Sequence, residues 1–318
     1  MNIAVVGGSG FVGTELISLL QKEHSILNLD KKLSLQYDSI TRVIDVRNKD
    51  QLNDSLKGQD LVVLLAAEHR DDVSPVSLYY DVNVGGMKNV LNAMDLNGIK
   101  KIIFTSSVAL YGLNQKQAPD ENAITKPFNH YGQSKLEAEK VLQQWVNRDK
   151  SHSSLVLRPT VIFGPNNRGN VYNLFKQIFS GKFLIIGSGI NQKSMAYVKN
   201  VVSFIEDRIN QNFQGFELYN YSDKPDFSMN SLVKEIYVFK GERIPSIKIP
   251  YGLGILVGYM FDLLAFILKK KLPISSIRIK KFCASSIINA DKLEGSGFIP
   301  PYSLKQAIIH TLQKEFQD

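Results

Sequence analysis

The stretch NIAVVGGSGFVG, residues 2–13, decides the fold of this chain. It begins with a short apolar run that ends in glycines, which is typical of a buried parallel strand entering a tight turn. Gly7, Gly10 and Gly13 have the spacing Gly-x-x-Gly-x-x-Gly, and a helical pattern follows them. Gly7 allows the tight turn, Gly10 lets the backbone approach a pyrophosphate, and Gly13 lets helix and strand pack closely. Because the helix N-terminus offers free N–H groups to an anion, the stretch predicts a dinucleotide site.

Farther along the chain, apolar runs alternate with helical patterns. The apolar runs lie at 25–29, 41–46, 61–66, 101–105 and 154–163, and the clearest helical patterns lie at 83–97 and 131–147. Strands that alternate with helices are typical of βαβ units. We therefore expect an α/β fold, with a Rossmann-type doubly wound parallel sheet and a smaller C-terminal α/β substrate domain.

The pattern changes after about residue 165, where a polar, glycine-bearing loop begins. We expect a NAD-binding Rossmann domain at 1–165 and a substrate-binding domain at 166–318. Some elements of the C-terminal half are expected to pack back on the Rossmann domain.

Size and composition narrow the class of protein. The chain has 318 residues, of which 44% are hydrophobic and 21% charged, so it is globular rather than disordered. Cys283 is the only cysteine, which excludes a disulfide framework within the chain and fits a reducing cytoplasm. The first residues lack the pattern of a signal peptide. The net charge of +8 indicates an anionic partner, which could be nucleic acid, anionic lipid or a phosphorylated substrate.

An aspartate after the second apolar run supports the dinucleotide site. Asp30 lies about 20 residues after the glycines, where a carboxylate would hydrogen-bond the adenosine ribose. Lys31 and Lys32 follow it and could instead attract a 2′-phosphate. We favour NAD over NADP, because a carboxylate would repel that phosphate. Asp45 ends the next apolar run and could meet the adenine amino group.

A tyrosine and a lysine four residues apart form the candidate catalytic pair. Tyr131 and Lys135 share one face of a helical segment. A nearby ammonium favours the phenolate and would lower the tyrosine pKa, which suits proton transfer at a carbinol while hydride moves to or from a nicotinamide. Ser106 and Ser107 end the apolar run at 101–105, where a hydroxyl can steady a carbinol oxygen.

Seven strings carry a resemblance to a known family. They are VGGSGFVG at 6–13, IDVRN at 44–48, LLAAEHR at 64–70, SSVALYG at 106–112, YGQSK at 131–135, RPTVIFGP at 158–165 and KSMAYVKNVV at 193–202. In this order they resemble the extended short-chain dehydrogenase/reductase family, which contains nucleotide-sugar epimerases and dehydratases. The resemblance implies that Ser107, Tyr131 and Lys135 are the catalytic triad.

The same resemblance implies which residues lie against the cofactor. Asp45 and Val46 would hold adenine, and residues 65–67 would pass beside the dinucleotide. The full set of expected NAD-binding residues is Gly7, Gly10, Phe11, Val12, Gly13, Asp30, Lys31, Asp45, Val46, Leu65, Ala66, Ala67, Tyr131 and Lys135. We expect no metal.

Two departures from the family pattern narrow the reaction. Val108 and Ala109 stand near the position where the sugar dehydratases carry an Asp-Glu pair, so the acid and base for water elimination are missing. Val161 stands where many UDP-galactose-type epimerases have an asparagine that touches the substrate phosphates. These departures favour reversible oxidation at C4 over elimination, and they put ordinary UDP-sugar binding in doubt.

Longer strings resemble bacterial members of this family that epimerise a polyprenyl-diphosphate-linked amino sugar. They are VVLLAAEHRDDVSPVSLYYDVNV at 62–84, RPTVIFGPNNRGNVYNLFKQI at 158–178, KSMAYV at 193–198, YNYSDKPDFSMN at 219–230, IRIKKFCAS at 277–285 and GFIPPYSL at 297–304. This resemblance implies a 4-epimerase that interconverts the N-acetylglucosaminyl and N-acetylgalactosaminyl lipids for O-antigen or other surface polysaccharide. Arg168 is the candidate for the diphosphate, and Asn170 is a second candidate substrate contact.

Other functions remain open at this point. A UDP-N-acetylglucosamine 4-epimerase and a nucleotide-sugar 4-ketoreductase would share the triad. A non-catalytic dinucleotide-binding scaffold is the alternative from another class, but a scaffold has no use for a tuned phenol.

The segment 249–281 is the expected membrane-proximal part of the chain. Residues 249–268 are nearly all apolar and only Asp262 among them is charged, while Lys269, Lys270 and Lys271 follow. Because proline, glycines and the aspartate interrupt it, we expect an interfacial segment rather than a spanning helix, with the lysines and the cluster at 278–281 against anionic head groups.

The alternative for this segment is a helix in the core or in a homodimer interface. Nucleic acid is not expected as a partner, because the basic residues flank an apolar segment instead of forming an aromatic-interleaved patch. We therefore expect a cytoplasmic protein that associates peripherally with the inner face of the membrane.

Overall fold

Most strands of the chain form the parallel sheet that the N-terminal pattern predicts. The computed structural model describes residues 1–70, 72–112, 117–244, 248–270, 272 and 275–317. Its strands are β1 Asn2–Val6, β2 Ser25–Asp30, β3 Thr41–Val43, β4 Leu61–Leu64, β5 Lys101–Thr105, β6 Ser153–Pro159, β7 Val161–Phe163, β8 Ile185–Ile186, β9 Gln192–Tyr197, β10 Phe216–Tyr221, β11 Asp223–Ser228 and β12 Lys248–Ile249.

The helices alternate with the strands along the first half of the chain. They are α1 Phe11–Leu20, α2 Lys49–Ser55, α3 Ser77–Tyr80, α4 Gly86–Leu96, α5 His130–Arg148, α6 Asn170–Phe179, α7 Val198–Asn210, α8 Met229–Lys240, α9 Tyr251–Leu268, α10 Ser276–Cys283, α11 Asp291–Glu294 and α12 Leu304–Phe316. A π-helical segment, Asp81–Gly85, joins α3 to α4, and short 3-10 turns lie at Asp38–Ile40 and Val108–Tyr111.

Seven of the strands form one parallel sheet, in the order β10-β6-β5-β4-β1-β2-β3. Val6 at the end of β1 pairs with Leu29 of β2 on one side and with Leu64 of β4 on the other. The strand order therefore reverses beside β1, and ligands bind at the carboxyl ends of strands where such a reversal opens a crevice. The predicted α/β fold with a Rossmann-type parallel sheet is confirmed.

Alternating residues of the central strands are buried on both faces of this sheet. Ile3 and Val5 pack in one apolar cluster with residues of α1 and α7, whereas Ala4 and Val6 pack in a second cluster with residues of α4 and α5. Helices on both faces explain why the strands are continuously apolar in sequence, since neither face meets water.

The chain divides into two compact units. The first comprises residues 1–162, 196–222 and 288–301, and the second comprises residues 163–195, 223–287 and 302–318. The chain returns to the first unit because β10 extends the main sheet beside β6, with Asn220 opposite Arg158. The division is therefore not a single cut near residue 165.

The second unit combines short strand pairs with helices. Strand β11 is antiparallel to β9, with Asp223 opposite Met195, and β12 is parallel to β8, with Ile249 opposite Ile186. Helices α6, α8 and α12 pack on one another.

Helix α9 is an exposed apolar helix. Only Gly254 and Gly258 of α9 are buried, and an added Cβ at Gly258 would lie 2.8 Å from the Ser276 Cα of α10. Among the described residues, α9 is the one helix long and apolar enough to cross a membrane, by length and composition alone. The alternative of a core helix is wrong, because most of its large apolar side chains are exposed. Lys271, one of the three lysines expected after this helix, lies outside the described residues.

The aspartate of α9 has a structural partner. Both carboxylate oxygens of Asp262 accept the backbone N–H of Ser276, at 3.2 and 3.4 Å, in the first turn of α10. A carboxylate near a helix N-terminus is stabilising. The one charge inside the apolar run therefore lies within α9 and binds the N-terminus of α10.

Candidate active site

The glycine stretch turns as the sequence predicts. Gly7 has φ +92°, and an added Cβ would lie 2.4 Å from the Ala66 backbone nitrogen, so only glycine fits. An added Cβ at Gly13 would lie 2.4 Å from the Gly8 Cα, which explains the close packing of α1 on the turn.

The N-terminus of α1 suits an anion. Gly10 is its exposed N-cap residue, Phe11 and Val12 follow as its first residues, and no side chain caps it among the described residues. Uncapped N–H groups at a helix N-terminus bind phosphate groups readily. These residues therefore fit a dinucleotide pyrophosphate.

Asp30 is tied to the glycine stretch. Its carboxylate accepts the backbone N–H of Ser9 at 3.1 Å and the backbone N–H of Lys32 at 3.0 Å. Lys31 is exposed beside it. The carboxylate thus lies at the end of β2 beside the glycine turn, as a ribose-binding residue requires.

The next two predicted positions lie after β3. Asp45 forms an ion pair with Arg47, with 2.7 Å between the guanidinium nitrogen and the carboxylate oxygen. Hydrogen bonds from Arg47 hold the pKa of Asp45 below its usual value. Val46 is buried, and its carbonyl accepts the side-chain amide of Asn89 at 2.9 Å.

Residues Leu65, Ala66 and Ala67 leave the end of β4. The backbone N–H groups of Leu65 and Ala66 both donate to the Val6 carbonyl, at 2.8 and 2.9 Å. This shared acceptor holds the segment against the end of β1. The predicted cofactor residues before residue 70 are thereby brought to one edge of the sheet.

The candidate triad also lies at this edge. Ser107 follows β5, caps the 3-10 turn by accepting the Ala109 N–H, and hydrogen-bonds the Tyr131 phenol. Ser106 is buried and its N–H donates to the Leu157 carbonyl. The hydroxyl that bonds the Tyr131 phenol is that of Ser107. Tyr131 and Lys135 lie in the first turns of α5, where the Asn129 side chain caps the helix.

Lys135 is held by the strand rather than by the tyrosine. Its Nζ donates to the Thr105 carbonyl at 2.8 Å and lies 4.6 Å from the centre of the Phe104 ring. Burial lowers the pKa of Lys135 from 10.5 to about 7, and the nearby Glu139 carboxylate acts in the opposite direction. An ammonium with this pKa can exchange a proton near neutral pH.

The expected lowering of the tyrosine pKa is wrong for this structure. Burial raises the pKa of Tyr131, and only the hydrogen bond with Ser107 acts against it. The reason is that burial of the phenol outweighs the Ser107 hydrogen bond, while Lys135 donates to the Thr105 carbonyl instead of to the phenol. A phenolate at Tyr131 therefore needs a further positive charge.

A buried ion pair joins α5 to the main sheet. Two nitrogens of Arg158 donate to the carboxylate of Glu139, at 3.0 and 2.6 Å, and a third donates to the Tyr111 hydroxyl at 2.7 Å. The Tyr111 hydroxyl donates onward to Asn220 at 2.7 Å. The network joins α5 to β6 and β10. Its α5 residue, Glu139, lies one helical turn after Lys135.

Sequence reasoning missed Asn83, which joins the cofactor segment to the catalytic helix. Its side chain accepts the Glu68 N–H at 2.9 Å and donates to the Glu68 carbonyl and to the Ser134 hydroxyl. Ser134 in turn donates to the Tyr131 carbonyl at 2.9 Å. Asn83 lies in the π-helical segment and is buried. A polar residue inside the helical pattern at 83–97 was the available signal.

We expect Asn83→Ala to lower kcat about tenfold and the free energy of unfolding by about 1–3 kcal/mol, because buried partners lose their hydrogen bonds. Asn97→Ala is the matched control, since Asn97 donates to the Asn53 and Ala93 carbonyls at the far end of α4. The control should lose stability with kcat unchanged. Equal kcat values for the two variants would contradict a positioning role for Asn83.

The predicted substrate residues lie in the second unit. The guanidinium of Arg168 forms an ion pair with Glu315 and lies 4.4 Å from the centre of the Tyr172 ring. Asn170 is the exposed first residue of α6. The role of Arg168 in diphosphate binding stays a prediction. It would require the guanidinium to exchange the Glu315 carboxylate for the diphosphate.

Known relatives match the chain over almost its whole length. It is 55% identical over 316 residues to the N-acetyl-alpha-D-glucosaminyl-diphospho-ditrans,octacis-undecaprenol 4-epimerase of Escherichia coli O157:H7, which covers 99% of this chain and 95% of that protein. It is 29% identical over 273 residues to the UDP-glucose 4-epimerase of Vibrio cholerae, which covers 82% of each.

Solved structures share the fold. The UDP-glucuronic acid 4-epimerase from Bacillus cereus in complex with NAD has a TM-score of 0.77 at 19% identity, over 99% of this chain and 98% of that chain. The UDP-N-acetylglucosamine 4-epimerase from Bacillus cereus has a TM-score of 0.76 at 21% identity, over 99% of both.

The family model that matches is described as the NAD dependent epimerase/dehydratase family, and it matches residues 3–220. The match includes the glycine stretch, Ser107, Tyr131 and Lys135. The family resemblance seen in the sequence is confirmed, and so is NAD as the cofactor of the family. With its parallel sheet, its glycine turn and this match, the chain belongs to the NAD-dependent epimerase/dehydratase family.

Proposed function

We propose that this chain is an NAD-dependent 4-epimerase that interconverts N-acetylglucosaminyl- and N-acetylgalactosaminyl-diphospho-undecaprenol for surface polysaccharide such as O-antigen. The observation that carries the proposal is the 55% identity to the Escherichia coli O157:H7 relative over 99% of this chain. The hydrogen bond between Ser107 and Tyr131, with Lys135 on the same helix, supports it chemically.

In this proposal the first unit binds the cofactor and the second unit binds the substrate. The first unit binds NAD along the edge formed by Gly7, Gly10, Asp30 and residues 65–67. The second unit binds the lipid-linked sugar. Its own strand pair, β9 with β11, and its three packed helices support this division.

The catalytic steps follow from the three side chains. NAD held by the glycine stretch and Asp30 would supply hydride transfer at the sugar C4 and a positively charged ring that would favour the phenolate. The Ser107 hydroxyl holds O4 of the sugar. The Tyr131 phenol oxygen takes the O4 proton in the oxidation and gives it back in the reduction. Lys135, with its pKa near neutrality, stabilises the phenolate and orients the ribose.

The test is incubation of the purified protein with the undecaprenyl-linked sugar and, separately, with UDP-N-acetylglucosamine, without added reductant. We expect the lipid-linked sugar to be converted with a kcat/KM that exceeds that for the UDP-sugar. Conversion of the UDP-sugar alone would identify a nucleotide-sugar 4-epimerase. A stoichiometric requirement for reduced cofactor would identify a 4-ketoreductase.

The exposed helix α9 supports a place for the enzyme on a membrane. Its apolar side chains are followed by exposed Lys269 and Lys270, and α10 adds exposed Arg278, Lys280 and Lys281. Exposed apolar side chains next to a cluster of basic residues suit contact with an anionic bilayer. The protein thereby reaches its lipid-linked substrate from the cytoplasmic side.

We expect Lys269→Gln with Lys270→Gln to weaken binding to anionic vesicles about 30-fold at low salt, because each lysine near the surface contributes about 1 kcal/mol. The exposed pair Lys22→Gln with Lys150→Gln removes the same charge elsewhere and is the control. Binding that both double variants retain equally, at every salt concentration, would contradict the electrostatic contribution.

A further inference from the structure

A buried carboxylate lies one helical turn after the lysine of the candidate triad. Glu139 comes four residues after Lys135 on α5, and residues with this spacing share one helix face. Both residues are in the interior, since Lys135 is 2% exposed and Glu139 is 5% exposed. Water and salt screen buried charges weakly, so the carboxylate acts on the amine more strongly than it would at the surface.

Arg158 of β6 holds this carboxylate. Two guanidinium nitrogens donate to the two Glu139 oxygens, at 3.0 and 2.6 Å, which is the fork geometry of a guanidinium with an ionised carboxylate. Arg158 is also buried. Because desolvation of two buried charges offsets most of their attraction, such a pair adds little stability compared with apolar residues of similar size. Stability alone therefore does not explain why the chain buries these two charges one turn from Lys135.

The direct contacts of Lys135 favour its positive charge without neutralising it. Its Nζ donates to the Thr105 carbonyl and lies over the ring of Phe104, and neither group carries a charge. Burial acts against the ammonium and lowers the pKa of Lys135 to about 7, whereas the charge of Glu139 raises that pKa. The carboxylate therefore offsets part of the cost of burying the ammonium.

The other titratable groups of the network do not supply this negative charge. Burial raises the pKa of Tyr111 and the pKa of Tyr131, so neither phenol is charged near neutral pH in this structure. Glu121 is a second carboxylate of the network, and its charge acts on Tyr111. Among the described residues, the carboxylate that acts on Lys135 is therefore Glu139.

We propose that Glu139, held by Arg158, is a positioning residue that keeps Lys135 in its ammonium form during the reaction. Glu139 acts through Lys135 and not on the sugar. Without its charge, burial would leave a larger share of the amine neutral at the pH of catalysis. The inference rests on the proposed function, because that reaction needs the ammonium to stabilise the Tyr131 phenolate and to orient the ribose.

Three variants separate the charge of Glu139 from the structural contacts of the network. Glu139→Gln removes the charge but leaves the Arg158 guanidinium unpaired, which can unfold the protein. The double variant Glu139→Leu with Arg158→Met removes both charges, and apolar replacement of a buried pair is often neutral for stability. Tyr111→Phe is the matched control, because it removes the hydrogen bonds of that hydroxyl with Arg158 and Asn220 and keeps the Glu139 charge.

The first measurement is urea unfolding over a range of pH around neutrality, at equal NAD content. Wild-type stability should rise with pH from about pH 7, where the folded chain releases the lysine proton that the unfolded chain keeps. In the double variant this rise should begin about one pH unit lower, because Lys135 has lost a nearby opposite charge. Tyr111→Phe should lower stability equally at every pH. A rise that begins at the wild-type pH in the double variant would overturn the proposal, and so would failure of both Glu139 variants to fold.

The second measurement is kcat for the lipid-linked sugar as a function of pH. The kcat of the double variant should be about tenfold below the wild-type value at about pH 8 and within about twofold of it at about pH 6, because each pH unit above the pKa lowers the ammonium fraction about tenfold. Tyr111→Phe should keep the wild-type pH profile. A kcat that falls by the same factor at both pH values would show a structural role for Glu139 and would contradict the inference.

The two measurements separate this inference from the proposed function. If the rise in stability moves to lower pH but the lipid-linked sugar is not converted, Glu139 controls the charge of Lys135 and the proposed reaction is wrong. If the sugar is converted and neither pH profile moves, the assignment of Glu139 is wrong and the proposed function stands.

Discussion

Replacement of Tyr131 by phenylalanine should lower kcat about a thousandfold while the protein stays folded with NAD bound. The variant removes only the phenol oxygen, which hydrogen-bonds Ser107 and which we propose exchanges the proton of the sugar O4. Removal of a positioned acid or base of this kind costs about 10²- to 10⁴-fold in rate. The measurement is turnover of the lipid-linked sugar, with bound NAD determined by absorbance after denaturation.

The matched control is Tyr80→Phe. The Tyr80 hydroxyl bonds to His130 at the first residue of α5, at 3.0 Å, so the variant loses a phenol next to the same helix. We expect its kcat to stay within about twofold of the wild type, as for a surface substitution. If Tyr131→Phe keeps more than about a tenth of the wild-type kcat with full NAD content, Tyr131 is not the proton-transfer group.

Replacement of Lys135 by methionine should abolish activity and stabilise the fold. Activity should fall at least about a hundredfold, because the phenolate and the ribose lose their positively charged partner. Stability should rise because burial disfavours the charged amine: its pKa is about 7 in the folded chain and 10.5 in its ordinary environment. That difference corresponds to roughly 5 kcal/mol. The hydrogen bond lost at the Thr105 carbonyl offsets part of it, which leaves a net gain of roughly 2 kcal/mol near pH 7.

The pH dependence of this gain has a definite sign. Between pH 7 and 10.5 the unfolded wild-type chain binds the lysine proton and the folded chain does not, so wild-type stability rises with pH through this window. The advantage of Lys135→Met is therefore largest at pH 7 and below, and it shrinks by about 1.4 kcal/mol per pH unit above it. Urea unfolding of both proteins at equal NAD content measures it. A variant that is less stable than the wild type at pH 7 would show that the amine is not desolvated.

The site illustrates which parts of an enzyme local sequence can predict. The turn at Gly7 and the pair Tyr131 and Lys135 depend on steric fit and on helical spacing, so both are visible within a few residues. The acceptor of Lys135 is not visible in this way, because Thr105 lies 30 residues earlier and contributes a backbone carbonyl. The same holds for Glu139, whose partner Arg158 comes from a different strand.

The apolar segment after residue 249 shows the same limit. The composition predicts an apolar segment followed by basic residues, and the structure shows that most large apolar side chains of α9 are exposed. Asp262 could not be interpreted correctly from composition, because its partner is the N–H of Ser276 in the next helix. Arg168 was chosen for its position in a polar loop, and its ion pair with Glu315 depends on a helix at the other end of the chain.

The sequence by itself therefore determined the parallel sheet and the dinucleotide turn, and it predicted the candidate triad. These features arise from periodicity, glycine sterics and short spacings, which act within one or two elements. Only the tertiary structure decided the hydrogen-bond partner of Lys135 and the return of residues 196–222 to the main sheet. Those properties depend on which distant groups exclude water from a side chain or bring a charge to it, and no local pattern encodes the identity of a distant partner.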